Sequence, residues 1–269
     1  MGTARLRAER GRAAARLRRV RELAWVLAQR EFQIRYRRSA LDRLWSLVTP
    51  VVTLAVYGVV LTYGFDVPRG SVPYLSLVWV GLVVWSVFST AVGSGVYSVV
   101  SSAELVSKVY FPREVLPLAS VGAAGYDLAI GSAVLVCLVA VQVRSVSVFV
   151  VATVPALIIL MVWTAAAAIF LGIAAVFARD LIHITRLGLQ LGFFATPVMY
   201  PTEGLPHWFV VVNRVNPLAV AIETMRDAVL YQRWPLWWVV GAQIAAGLVA
   251  LGAAVWFTAA AEDRIVDVV

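Results

Sequence analysis

Six stretches of this chain run for about 20 residues or more with mainly apolar side chains: residues 44–65, 74–99, 115–141, 148–177, 181–200 and 235–260. At about 1.5 Å of helix rise per residue, that length matches the roughly 30 Å hydrocarbon core of a bilayer. A backbone at that depth finds no water to bond, so it crosses as a helix or as part of a closed barrel. Unbroken apolar runs, rather than alternating ones, select the helix. A charged side chain at a span centre costs roughly 2.5–3.5 kcal/mol, and Asp127 is the one such charge within the interior of a run. Charged residues make up 14% of the chain, against about 25% in soluble domains. The expected fold is an all-α integral membrane protein of six transmembrane helices over 44–262, with a basic arm at 1–43 and a tail at 263–269.

The net charge of +8 is concentrated in the arm, where thirteen arginines face four acids, Glu9, Glu22, Glu31 and Asp42. Basic flanks stay on the cytoplasmic side during insertion and are attracted to anionic lipid by roughly 1 kcal/mol per cation. The arm therefore places the N-terminus inside. An even number of spans then brings the C-terminus back to the same side. With the arm, the 100–114 loop, the 178–186 turn and the tail inside, eighteen basic residues lie there and five lie outside. Nucleic-acid binding is the weaker reading of the arm, because no recognised nucleic-acid module follows it. A cleavable signal peptide is not expected, since the first unbroken apolar run begins near Leu44. Cys137, the one cysteine, falls inside an apolar run and supports neither a disulfide framework nor a zinc site.

Within the arm, Val20, Leu23, Leu27 and Ile34 share one helical face while Trp25, Phe32 and Tyr36 share another, with arginines such as Arg37 and Arg38 nearby. That pattern suits an amphipathic helix lying in the membrane surface. Between the second and third spans, SSAELVSKVYFPREVLP holds the chain's only lysine. Ser101 with Glu104 has capping-box spacing, Glu104 with Lys108 is an i, i+4 ion pair, and Pro112 closes the segment. A self-capped cytoplasmic helix of about ten residues is expected, with Leu105, Val106, Val109 and Tyr110 as its apolar edge; a solvated loop with a cap is the plainer reading. Between the fifth and sixth spans, Asn216 and Pro217 form an N-cap and first-turn pair that starts a helix running to about Leu230. The preceding WFVVVNRV is too short to cross. The two pieces are either a re-entrant pair or a helix pair on the outer surface.

Several chemistries are excluded or disfavoured. Lys108 in LVSKVY has no glycine loop before it, so the chain lacks a phosphate-binding loop for ATP. Ser94 has no histidine at its depth, because His183 and His207 fall at opposite faces. A single deep acid disfavours a metal-dependent intramembrane glycosyl or prenyl transferase, and no paired repeat marks a secondary transporter. No metal ligand set is expected.

The segments REFQIRYRRSALDRLWSLVTPVVTLAVYGVVL, SKVYFPREVLPLA, FARDLIHITRLGLQLGFFATPVMYP and VNPLAVAIETMRDAVL follow one another with characteristic spacing. Over residues 20–262 they resemble the permease subunit of type-2 ABC exporters, in particular those for O-antigen, capsule and teichoic-acid-like polymers. The resemblance implies a homodimeric permease in the bacterial cytoplasmic membrane, bound to two copies of a separate nucleotide-binding subunit. It binds no cofactor itself; ATP and Mg belong to the partner. A polyprenyl-linked polysaccharide is the implied substrate, entering sideways from the lipid near the arm helix. A drug or lipid exporter of the same architecture is the alternative. The resemblance further implies that residues 101–111 are the coupling helix, with Glu104, Leu105, Lys108, Tyr110, Arg113 and Glu114 at the ATPase interface. Residues 203–230 would form outer gate helices carrying Asn216, Pro217, Glu223 and Arg226. Tyr57, Gln190, Phe193 and Phe194 would fall in the pore spans, where aromatic faces can stack on sugar rings. Asp127 either lines the path or bonds a neighbouring span among Gly122, Gly125 and Gly131.

Overall fold

A computed structural model of the chain describes residues 74–102, 112–142, 147–202 and 205–268, together with helical positions 26, 48, 51–53, 55 and 56. The arm, most of the first span and residues 103–111 lie outside the described residues. Every regular element described is helical. In chain order these are α1 (Tyr74–Ser101), α2 (Val115–Gln142), a 3-10 turn (Val148–Ala152), α3 (Thr153–Phe177), α4 (Asp180–Ala195), α5 (His207–Val215), α6 (Pro217–Arg226), a π turn (Asp227–Tyr231) and α7 (Trp237–Val268). Among the described residues, four apolar segments are long enough to cross a bilayer: α1, α2, the 3-10 turn with α3, and α7.

The central element is α1, which packs against α2, α3, α4 and α6, while α7 packs on α3. Val78, Trp79, Val80 and Val84 of α1 are wholly buried. They join Ile159 and Leu160 of α3 with Leu218, Ile222 and Met225 of α6 in one apolar cluster. Lipid tails supply no hydrophobic force between helices, so close backbone approach through small residues has to hold them together. At the α1–α3 crossing, a Cβ on Gly95 would stand 2.9 Å from the Ala168 Cβ, and one on Gly172 would stand 2.7 Å from the Gly95 carbonyl oxygen. The Trp79 indole donates across to the Gly131 carbonyl of α2 at 3.0 Å. The outward surface is apolar instead: Val136, Val249 and Trp256 are 67%, 73% and 72% exposed. This is the burial pattern of a protein whose solvent is lipid.

The fifth apolar run differs from its expected length. Its helix, α4, has 16 residues, about 24 Å at the standard rise. Thr196 is extended, with φ −93° and ψ 141°, because the ring of Pro197 disfavours helical geometry in the residue before it. The chain then continues as non-helical backbone in which Thr196 and Val198 are 2% and 0% exposed. Irregular backbone at such depth requires partners within the protein, and it has them. At the start of the same helix, the turn expected over 178–186 is tighter: α4 begins at Asp180, so Arg186 lies in its second turn rather than in a connection.

Candidate functional sites at the two ends of the bundle

At the Tyr74 end, Arg226 ties three segments together. It is wholly buried, and its guanidinium donates to the carbonyls of Leu77 (3.0 and 3.2 Å), Val198 (2.8 Å) and Tyr200 (3.1 Å). Its remaining contact is the Glu223 carboxylate at 2.9 Å, one turn back on α6. Burial pulls the guanidinium down from its ordinary value, and the Glu223 charge pushes it back up. A planar fork of donors is the side chain suited to several carbonyls at once. Counted from sequence among the basic residues outside, Arg226 is wholly buried within the protein.

The neighbouring bonds use the same segments. The Tyr74 hydroxyl donates to the Met199 carbonyl at 2.6 Å. The Asn216 carboxamide oxygen accepts from the backbone N–H of Leu218 and Ala219 at 3.0 and 3.4 Å, and its Nδ2 donates to the Thr196 hydroxyl at 2.9 Å. The expected Asn216–Pro217 helix start is therefore present, and it also fastens α6 to the end of α4. Gly81 lets the 196–200 backbone settle onto α1: a Cβ there would lie 2.1 Å from the Val198 carbonyl oxygen. Beyond α6, the π turn ends at Gln232 in left-handed geometry, φ 49°, and Arg233 pairs with Asp227 at 2.7 Å. Gln243 of α7 donates to the carbonyls of Arg214 and Val215 at 2.9 and 3.0 Å, anchoring the end of α5.

At the Ser101 end, Arg113 is 4% exposed and donates to the Glu262 carbonyl of α7 at 3.0 Å. It sits beside a small cluster of Val99, Val115, Leu116, Ile173, Val176 and Ala261. Glu114 is half-buried in the turn that opens α2. Ser101 is the last residue of α1, and its hydroxyl donates to the Ser98 carbonyl at 3.2 Å. A cavity of about 740 Å³ opens between α1, the start of α2 and α4, with Arg186 and several α1 serines in its wall.

Of the residues singled out from sequence, Trp25, Phe32, Tyr36, Arg37, Arg38, Tyr57, Glu104, Leu105, Lys108 and Tyr110 lie outside the described residues. Asn216, Pro217, Glu223 and Arg226 come together at the Tyr74 end. Phe193 and Phe194 meet edge to face at 5.3 Å but differ in burial. Phe193 is half-buried, its ring edge-on to Trp85 of α1 at 5.8 Å. Phe194 is 63% exposed and shares an outward face with Gln190, Leu187 and Leu191. Asp127 is half-buried on α2 and engaged with a partner, away from the cavity. Sequence reasoning missed Arg186 and the neighbouring Thr185; the available signal was a cation seven residues into an apolar helix.

Long apolar helices fastened by buried polar knots, with a cavity of mixed polar and apolar wall between them, define a membrane-embedded helical domain. Residues 22–230 match the ABC-2 type transporter family model, and the chain belongs to that family. It is similar to the O-antigen export system permease protein RfbA of Myxococcus xanthus, with 32% identity over 215 residues covering 79% of this chain and 81% of the relative. It is also similar to the protein of the same name from Klebsiella pneumoniae, at 28% over 208 residues, covering 77% and 79%.

Proposed function

We propose that this chain is the permease subunit of an exporter that carries a lipid-linked O-antigen-type polysaccharide across the bacterial cytoplasmic membrane. The observation that carries the reading is the similarity to O-antigen export permeases over about four-fifths of both chains, within a family match that spans most of the chain. In this reading six helices cross, both termini are cytoplasmic, and the Ser101 end faces the cytoplasm. ATP and Mg are handled by a separate nucleotide-binding subunit that grips residues 101–111, and two permeases pair around the path. The outward face of α4, with Leu187, Leu191 and Phe194 exposed, supplies an apolar surface for that pairing. Helices α5 and α6 serve as the outer gate; each is too short to cross, which supports the re-entrant reading.

Deletion of the gene in its own host tests this. Loss of surface polysaccharide with lipid-linked polymer retained on the inner leaflet is expected, and copurification should recover an ATP-hydrolysing partner. Undiminished surface polymer, or a changed drug or lipid profile in its place, would overturn the reading.

A further inference from the structure

We propose that the cavity between α1 and α4 binds a phosphorylated sugar, with Arg186 taking the phosphate and seryl oxygens of α1 taking sugar hydroxyls. This rests on the polysaccharide-export reading and names the part of the substrate held at this end. The volume, about 740 Å³, lies within the roughly 300–1,000 Å³ range of ligand sites. Along α1 the wall runs from Ser89 to Ser101, about 18 Å at the standard rise. The site therefore reaches from the Ser101 end deep into the bundle.

The chemistry of the wall is directional. Ser89, Ser98 and Ser101 each donate the hydroxyl hydrogen to the carbonyl three residues back, at 3.3, 2.7 and 3.2 Å. Each oxygen keeps its lone pairs, so this wall offers acceptors, which sugar hydroxyls can satisfy by donating. Across the cavity, Arg186 offers only donors and makes no hydrogen bond or ion pair among the described residues. Arg186 is exposed about 9 Å along α4 from its start, at the cavity wall, where its fork can reach a ligand. A phosphate takes that fork directly.

Thr185 supplies an independent observation. It lines the cavity at 8% exposure, and its hydroxyl has no hydrogen-bond partner. Other buried helical threonines in this chain bond back to their own helix: Thr164 donates to the Leu160 carbonyl at 2.6 Å and Thr258 to Ala254 at 3.0 Å. Thr185 forgoes that bond beside Arg186. A buried hydroxyl left unpaired costs free energy that a ligand oxygen can recover.

Equilibrium binding to the full-length chain in lipid nanodiscs tests the proposal, using four probes. These are a polyprenyl-pyrophosphoryl-N-acetylglucosamine, a sugar-free polyprenyl pyrophosphate, an alkyl N-acetylglucosamine glycolipid without phosphate, and soluble N-acetylglucosamine 1-phosphate. Arg186→Gln should weaken the pyrophosphoryl lipid about tenfold or more, with Arg186→Lys retaining part of the affinity and the phosphate-free glycolipid unchanged. Ser98→Ala should weaken sugar-bearing probes and leave sugar-free polyprenyl pyrophosphate unaffected. Arg186-dependent binding of the soluble sugar phosphate as tight as that of the lipid supports the same site with a ligand drawn from solution. Equal affinity of wild type and Arg186→Gln for both phosphorylated probes overturns the site. If export persists in that variant, the polysaccharide reading stands without the site; undiminished surface polymer in a deletion strain sinks both.

Discussion

The Arg226 guanidinium donates to the Val198 carbonyl oxygen at 2.8 Å, and that same oxygen occupies the space a Cβ on Gly81 would need. One peptide group is thus held from one side by a charge and admitted from the other by the absence of a side chain. The end of a helix too short to span the bilayer is completed by this arrangement.

Arg226→Lys should destabilise the protein nearly as much as Arg226→Ala. An ammonium cannot reach the Leu77, Val198 and Tyr200 carbonyls together, and Glu223 is left with a poorer partner. Breaking such a buried ion pair costs about 3–5 kcal/mol. Thermal unfolding in detergent reads this directly. A lysine variant melting with wild type would show that the carbonyls do not depend on the fork.

Gly81→Ala should be strongly destabilising and Gly125→Ala nearly neutral. The first places a methyl 2.1 Å from a fixed carbonyl oxygen, and the second meets nothing within 4 Å. Overpacking of this kind costs about 1–3 kcal/mol. Similar melting temperatures for the two variants would contradict the close approach.

Asn216→Ala should cost about 1 kcal/mol for the lost cap, plus the bond to Thr196. Asn216→Asp keeps the acceptor for Leu218 and Ala219 but loses the Nδ2 donor, so it should fall between wild type and alanine. Hydrogen exchange at the Leu218 and Ala219 amides would separate the contributions, fast in alanine and near wild type in aspartate.

Arg113→Met fills the same volume without the bond to the Glu262 carbonyl. The end of α7 should open more often, and trypsin should cleave after the exposed Arg264 about tenfold faster for each 1.4 kcal/mol lost. An unchanged cleavage rate would mean that the surrounding apolar cluster alone holds the tail.

Much of the architecture was legible in one dimension because a bilayer constrains length and polarity together. The runs that became α1, α2, α3 and α7 carry that signal over more than 20 residues each. Asn216 with Pro217 was legible for a different reason, since a cap acts within three residues and needs no tertiary context. The role of Arg226 was hidden: its acceptors are backbone carbonyls at residues 77, 198 and 200, and carbonyls have no sequence signature. Phe193 and Phe194 are adjacent helical positions about 100° apart, so Phe193 packs on Trp85 while Phe194 is mostly exposed, although their rings still meet at 5.3 Å. Arg186 was counted as a loop cation because the helix start at Asp180 lies close to the apolar boundary. Its place in a cavity emerges only once α1 and α4 are set side by side.

The bonds of Arg226 also have a mechanical meaning. Helix α1, the peptide stretch after α4, and α6 cannot separate at the Tyr74 end without stripping a buried cation of its acceptors, so that end behaves as a pivot. At the other end, an open cavity lies between α1 and α4. On this geometry, any scissoring of these two helices would be smallest at residues 77 and 198 and largest near 101 and 182. Spin-label distances across the two ends should vary in that proportion, and equal changes at both would mean the knot slides as a unit. A bundle hinged in this way can open at one end while the other stays closed.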